Sequence, residues 1–205
     1  MHFKKTFTAL TLSLGILLVS AANAGAAGIS YTVKSGDSLW KIAVKYQIGL
    51  SEIISANPEI ANPDLIYPDQ IITVPQLDSS VTSYEEEVIS LVNDIRTQYG
   101  LKTLKTDWEL CRVARYKSQD MADKNYFSHT SPTYGSPFDM MKSFGLTYRS
   151  AGENIAKGQR TPQEVVNAWM NSSGHSANIL NSSFTHIGVG YVAKGNIWTQ
   201  MFIGR

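Results

Sequence analysis

Three short polar islands interrupt segments of the chain that have the composition of a packed core. They lie at 127–130, 152–155 and 174–178. Each contains one ionisable side chain among small or polar neighbours: His129, Glu153 and His175. Because these residues are far apart in sequence, only a tertiary fold can bring them together. If they meet, they form a single polar cleft, which is the best indication of function.

The composition permits a packed core. The chain has 205 residues, 43% hydrophobic and 17% charged, so it can form one large domain or a medium and a small one, and extensive disorder is not expected. Cys111 is the only cysteine, so no internal disulfide can form. Its apolar neighbours favour a buried, inert thiol, with a nucleophile or an intermolecular bridge as the alternatives.

The first 24 residues have the layout of a secretory signal peptide. Lys4 and Lys5 precede an apolar run at 7–19, and small residues at 22–24 suit cleavage after Ala24. A membrane anchor is the alternative, but the run is shorter than the ~20 residues that a spanning helix needs. The predicted protein is therefore secreted and has no membrane span after cleavage.

The charge of the chain argues against a nucleic-acid partner. Removal of Lys4 and Lys5 takes the basic residues from 18 to 16 against 17 acids, and the formal net charge from +1 to −1. The sequence also has no basic run that could contact a phosphate backbone.

The segment 29–76 has the pattern of a small, separate module. A β-rich run is followed by a turn in which Asp37 or Ser38 can cap a helix. Ser51 could cap a second helix, and an apolar run at 71–74 predicts a closing strand. The predicted order is strand, helix, helix, strand.

Motifs in this module resemble a LysM domain. They are YTVKSGDSLWKIA at 31–43, NPDLIYPDQ at 62–70 and ITVP at 72–75. LysM domains bind N-acetylglucosamine-containing glycans such as peptidoglycan and chitin, so the resemblance implies a glycan partner. It implies a shallow sugar groove between two loops, formed by Gly36, Asp37, Ser38 and Leu39 facing Pro63, Asp64, Leu65 and Ile66. A protein-docking role is the alternative, since a similar module opens some spore-coat assembly proteins.

A polar stretch at 77–82 predicts a short flexible linker, and the rest of the chain, 83–205, predicts a mixed α/β domain. Helix starts are predicted at four caps: Ser83 with Glu86, Asp107, Ser136, and Thr161 with Glu164. Lys117 lies on the inner face of the second helix, where we expect its stem to be buried and its amine to reach water. Strands are predicted at 148–156, 187–191 and 197–203, the last two as a hairpin.

Separated motifs in this second segment resemble a CAP domain, also called SCP-like. They are FSHTSP at 127–132, GENIA at 152–156, VNAWMNSSGH at 166–175 and IGVGY at 187–191. The resemblance is greatest to the bacterial branch found in secreted proteins of spore-forming Gram-positive organisms. It implies a three-layer α-β-α sandwich with a central cleft.

The resemblance also implies which residues line that cleft. The family cleft holds two His and two Glu; His129, Glu153 and His175 match three of them, and Ser172 stands at the fourth position. No cofactor is required by the motifs, although His129 and His175 could hold a divalent metal such as zinc. His186 is a further metal ligand by composition alone.

Two other interpretations of these residues stay open. Ser128 or Ser172 beside a histidine and Glu153 could form a nucleophile, base and orienting acid, which makes the three cleft residues candidate catalytic residues. Alternatively, the same side chains could form a buried polar network that only holds the layers together.

The sequence therefore predicts an exported protein that is associated with the cell wall. LysM would bind peptidoglycan, and the CAP cleft would bind an unidentified ligand. The alternative function is a hydrolase that acts on wall material or peptides. The spore coat is an alternative location, with envelope or spore-coat proteins as further partners.

Overall fold

The structure, a computed structural model, describes residues 28–205. The predicted signal peptide lies outside the described residues. Within the described range, no helix has the length and apolarity to cross a membrane.

The N-terminal module has the predicted order of elements. These are β1 (Ile29–Thr32), α1 (Leu39–Lys45), α2 (Leu50–Ser55) and β2 (Ile71–Val74). The two strands pair antiparallel around a small apolar core. Ser38 caps α1 and accepts a hydrogen bond from the Lys41 amide, as predicted. The predicted cap at Ser51 is wrong: Gly49 is the N-cap of α2, and Ser51 lies inside the helix.

The connection between the two modules is shorter than the sequence suggests. Helix α3 (Ser79–Gln98) begins inside the stretch expected to be a flexible linker, 77–82, so only residues 75–78 separate it from β2. Asp78 is its N-cap and accepts from the Ser80 amide at 2.8 Å. Ser83, the predicted cap, lies within the helix. An Asx cap upstream therefore extends α3 by one turn into a polar stretch.

A four-stranded sheet forms the centre of the larger domain. Its strands are β3 (Lys105–Thr106), β4 (Ser150–Lys157), β5 (His186–Val192) and β6 (Ile197–Gly204). Their spatial order is β3-β5-β6-β4, with β6 antiparallel to both of its neighbours and β3 parallel to β5. The hairpin of β5 and β6 is as predicted, whereas β3 has only two residues and carries no periodic pattern.

Helices cover both faces of this sheet. They are α3 together with α4 (Trp108–Asp123), α5 (Pro137–Ser143), α6 (Pro162–Met170) and α7 (Ser173–Ile179). Met201 and Ile203 of β6 pack with α4 and α5, whereas Trp198 and Phe202 pack with α3 and α6. Because alternate residues of a strand face opposite sides, this arrangement is the expected three-layer α-β-α sandwich.

The predicted caps at Asp107, Ser136 and Thr161 are all present. Helix α7, however, was not predicted, and Gly174 of the third polar island lies within it. The site residue His175 therefore lies on a helix and not in a loop.

Helix α4 lies unusually close to β5. A Cβ built on Gly190 would come within 2.2 Å of the Ala114 carbonyl carbon and the Arg115 amide nitrogen. Only glycine allows the helix backbone to approach the strand this closely.

A buried ion pair joins α3 to α4. Arg115 donates from Nε and Nη2 to both carboxylate oxygens of Glu85, at 2.6–3.0 Å. Glu85 is 2% exposed and also accepts from the Tyr191 amide at 3.1 Å. The carboxylate thus connects two helices and the sheet.

Two helix side chains bind the outer strand β4. Trp169 Nε1 donates to the Ile155 carbonyl at 3.3 Å, and Asn178 Nδ2 donates to the Glu153 carbonyl at 3.2 Å. This strand has a β-neighbour on one side only, so these bonds come from α6 and α7 and not from another strand.

Candidate functional site

A histidine and a glutamate form the centre of the candidate site. His129 Nδ1 lies 2.7 Å from Glu153 Oε1, although 24 residues separate them. The Glu153 side chain is 1% exposed and the His129 side chain is 53% exposed. Because the carboxylate accepts, Nδ1 carries the proton and the bond orients the imidazole, leaving Nε2 available to a ligand.

The two imidazoles of the site differ in their proton affinity. The hydrogen bond to Glu153 raises the pKa of His129 above its ordinary value, although burial and the charge of Lys117 oppose the shift. Burial lowers the pKa of His175, and the positive charge of His129 lowers it further. His129 therefore holds its proton to higher pH than His175.

Buried amides fix the backbone that carries His175. Asn154, beside Glu153 on β4, donates to the His175 carbonyl at 3.1 Å and to Gln200 Oε1 at 3.0 Å. Asn178 of α7 donates to Asn154 Oδ1 at 2.8 Å. This network connects α7, which carries His175, to the strand that carries Glu153.

One oxygen of the central carboxylate has no partner. Glu153 Oε2 is buried and makes no hydrogen bond within the described part of the chain. Buried polar atoms are nearly always paired, so this acceptor beside His129 requires a donor that the described residues do not supply.

Lys117 is a site residue that the sequence reasoning misplaced. Its amine does not reach water: the residue is 0% exposed, and Nζ donates to the His129 carbonyl at 2.6 Å. Burial lowers its pKa, whereas the charges of Glu153 and Asp120 oppose that shift. A basic residue on the largely apolar inner face of α4 was the available signal. It indicated an internal partner for the ammonium group.

Asp120 anchors the loop that carries His129. It accepts hydrogen bonds from Tyr126 at 2.6 Å, Ser131 at 2.7 Å and Thr133. Burial opposes ionisation of Asp120, but these bonds lower its pKa to about 2. The anchored segment begins three residues before His129 and continues beyond it, so the imidazole is presented from a fixed loop.

The donor set for a metal is incomplete. Among the described residues, no three His, Cys, Asp or Glu side chains are placed to hold a metal ion. Glu153 Oε1 is engaged by His129, and His186 instead lies near Arg205 and Lys105, with its Nδ1 2.8 Å from the Thr185 hydroxyl. Catalytic zinc sites use three protein ligands. His129 and His175 alone would fall short of that number.

No histidine of the described range positions the two candidate serine nucleophiles. Ser128 accepts from the Thr130 amide at 3.2 Å, and Ser172 lies at the N-cap position of α7 without a side-chain cap bond. Neither hydroxyl bonds an imidazole in the part of the chain that the structure describes. The structure does not favour serine as a nucleophile.

One loop of the predicted sugar groove in the N-terminal module contains a residue with positive φ. Gly36 has φ +85°, and Asp37 holds the turn by accepting from Tyr31 at 2.7 Å and from the Lys34 amide at 2.8 Å. Leu39 is 2% exposed, which leaves only its backbone for a ligand, whereas Leu65 on the facing loop is 49% exposed. Contact of these loops with sugar stays a prediction.

Replacement of Glu153 by glutamine tests the electrostatics of the cleft. We expect the pKa of His129 to fall, because the charged hydrogen bond that raises it is lost. NMR titration of the histidine ring resonances measures the change, and His186 in the same spectrum is an internal control. An unchanged pKa of His129 would contradict the arrangement.

A three-layer sandwich with a His–Glu cleft, preceded by a βααβ module, defines a two-domain protein of the LysM and CAP classes. A family model described as the cysteine-rich secretory protein family, CAP, matches residues 89–203, and a LysM model matches 31–75. The chain belongs to the CAP family and carries a LysM domain before the CAP domain.

Similar proteins come from several bacteria. The Bacillus subtilis protein YkwD is 65% identical over 133 residues, which cover 65% of this chain and 52% of that protein. The N-acetylmuramoyl-L-alanine amidase sle1 of Staphylococcus epidermidis is 32% identical over 103 residues, 47% of this chain and 31% of that protein. An extracellular Bacillus anthracis protein with an SCP domain has a solved structure of TM-score 0.60 and 34% identity, covering 67% of this chain and 47% of that one. The chain thus spans about half or less of these relatives' lengths.

Proposed function

We propose that this is an exported, cell-wall-associated protein that binds peptidoglycan through its LysM domain and presents the CAP cleft to a second ligand. The LysM domain supports binding to glycans that contain N-acetylglucosamine. A location at the wall is supported by two relatives, one named as an N-acetylmuramoyl-L-alanine amidase and one described as extracellular. The spore coat is the alternative location, with spore-coat proteins as partners.

The exposed imidazole of His129 carries the proposal for the CAP cleft. Glu153 binds its Nδ1–H at 2.7 Å, and the His129 side chain is 53% exposed, so Nε2 is the acceptor that the cleft offers to a ligand. A group with an amide N–H or a hydroxyl can donate a hydrogen bond to this nitrogen. Wall glycan and its peptides contain both groups, so the ligand of the cleft is proposed to belong to the wall.

Sedimentation with purified peptidoglycan tests the LysM part. Leu65→Ala is expected to weaken binding about fivefold, which corresponds to about 1 kcal/mol, because Leu65 is proposed as a principal apolar contact of the sugar groove. Ile71→Ala is the matched control, since Ile71 is 67% exposed on β2, outside the predicted groove. Equal sedimentation of both variants and the unaltered protein would contradict the assignment of the groove.

A hydrolase is the second candidate, and the 2.7 Å bond between His129 and Glu153 favours it. This pair could hold an imidazole as general base toward a water molecule. Release of soluble fragments from peptidoglycan separates the two candidates. Release that disappears in His129→Ala would establish hydrolysis, whereas binding without release supports the binding function.

We propose that neither candidate function requires zinc. If a divalent metal is bound, His129 Nε2 and His175 would hold it, and it would polarise a ligand oxygen. Metal analysis of protein prepared without chelator, compared with the His175→Ala variant, tests this idea directly.

A further inference from the structure

A groove lies between the two domains, away from the His–Glu cleft. Its volume is about 390 Å³, within the range of small-ligand sites, which often lie at domain interfaces. The LysM wall consists of Trp40, Val44 and Leu50, and the CAP wall consists of Trp108, Tyr116 and Phe144. We call this the interdomain groove.

Arg112 of the CAP domain holds the two walls together. It makes a two-point ion pair with Glu52 of α2, at 2.6 and 2.8 Å, and it donates to Ser51 at 2.9 Å. Its guanidinium also lies 5.3 Å from the ring centroid of Tyr116. Such paired contacts fix an arginine in one orientation, so the groove is largely formed before any ligand arrives.

Gly49 shows how closely the domains approach. A Cβ at this position would come within 2.2 Å of the Arg112 guanidinium carbon. The N-terminus of α2 therefore packs directly on the arginine, with no room for a side chain between them. This close contact between Gly49 and Arg112 supports a fixed distance between the LysM and CAP walls of the groove.

The lining of the interdomain groove suits an uncharged ligand with apolar faces. Trp40 is 62% exposed, Leu50 39% and Val44 38%, so three large apolar side chains are open along one wall. The charge of Arg112 is compensated by Glu52, which leaves Glu109 as the one lining charge without an ion pair among the described residues. A polyanion would meet a carboxylate there, whereas a sugar offers ring faces to the aromatic side chains and hydroxyls to the polar ones.

The groove begins one residue after the predicted sugar loop, although none of the predicted sugar-contacting residues lines it. Trp40 directly follows Leu39, and Ser38 of the same loop caps the helix that carries Trp40. A glycan chain that leaves the LysM loops toward α1 would therefore reach Trp40.

We propose that the interdomain groove is a second saccharide subsite, which binds the units of an N-acetylglucosamine glycan that extend beyond the LysM loops. The proposal rests on the proposed glycan-binding function. It gives the CAP domain a direct part in glycan recognition through Trp108, independent of the His–Glu cleft. Its consequence is a preference for longer chains.

Calorimetric titration with chitotriose and chitohexaose tests the proposal. The unaltered protein is expected to bind the hexamer about tenfold more tightly than the trimer, since aromatic contacts are frequent hot spots. Trp108→Ala should remove most of that difference while leaving trimer binding unchanged. Tyr99→Ala is the control, because Tyr99 is 62% exposed at the end of α3 and outside the groove.

A second measurement needs no variant. The indole N–H resonances of Trp40 and Trp108 should both shift on addition of the hexamer, and that of Trp108 should not shift with the trimer. A hexamer advantage that survives Trp108→Ala, or an unperturbed Trp108 indole, would overturn the subsite. Absence of trimer binding would instead overturn the proposed glycan-binding function, and the subsite with it.

Discussion

Replacement of Arg115 by methionine is expected to destabilise the CAP domain by about 3–5 kcal/mol at neutral pH. The change leaves the Glu85 carboxylate buried, with only the Tyr191 amide as a partner. Denaturant unfolding followed by tryptophan fluorescence measures the loss, because Trp169 and Trp198 are buried in this domain.

The double variant Glu85→Gln with Arg115→Met is the matched control. Glutamine keeps an acceptor for the Tyr191 amide but has no charge to bury. It should therefore recover much of the stability lost in the single variant. A double variant that is as unstable as Arg115→Met would show that packing, and not the unpaired charge, dominates.

The loss of unfolding free energy caused by Arg115→Met, called the deficit below, should depend on pH. Burial already raises the pKa of Glu85, and Arg115 opposes that shift, so removal of the arginine raises the pKa further. A carboxyl group whose pKa is higher in the folded state loses stability as pH rises above its unfolded value, about 4.3. The deficit should therefore be smallest below that pH and largest once Glu85 is ionised in the fold. Equal deficits in acid and at neutral pH would contradict this account.

Gly190→Ala is expected to cost at least about 3 kcal/mol, at the upper end of overpacking substitutions. The new methyl group would lie 2.2 Å from backbone atoms of Ala114 and Arg115. Backbone in the middle of α4 cannot rotate away as a flexible side chain can, so either the helix or the strand must move. The melting temperature and the unfolding free energy both report the effect.

Gly174→Ala provides the comparison for this substitution. A Cβ at Gly174 meets nothing within 4 Å, and the residue lies in α7. Alanine favours a helix over glycine by up to about 1 kcal/mol, so this variant should be unchanged or slightly more stable. Similar losses in both glycine variants would show that close backbone approach does not explain Gly190.

Local signals in the sequence predicted most of the fold. The βααβ order, the caps at Ser38, Asp107, Ser136 and Thr161, and the final hairpin each rest on a few neighbouring residues. Local chemistry is sufficient there because a cap side chain bonds an amide only two or three residues away.

The errors arose where distant parts of the chain decide the structure. Gly174 is tolerated in α7 because the buried Asn154 of β4 bonds both the His175 carbonyl and the Asn178 side chain of that helix. Two-residue β3 exists because β5 lies beside it. Neither partner can be inferred from the residues of the element itself.

The candidate site was predicted in part. The motifs indicated His129, Glu153 and His175, and the structure places His129 and Glu153 in direct contact. An internal partner for Lys117 was indicated by its position, but the identity of that partner was not predictable, because it is the backbone carbonyl of His129, twelve positions away. Any residue at 129 has that carbonyl, so no side-chain pattern reveals the bond.

The helix side chains that bind β4 have a consequence for how partners can associate with this domain. Trp169 and Asn178 occupy carbonyls that an incoming peptide strand would need for its own ladder. Strand addition to this border of the sheet is therefore blocked, as is unwanted edge-to-edge aggregation. A protein or peptide that approaches β4 must be recognised through its side chains and not through its main chain.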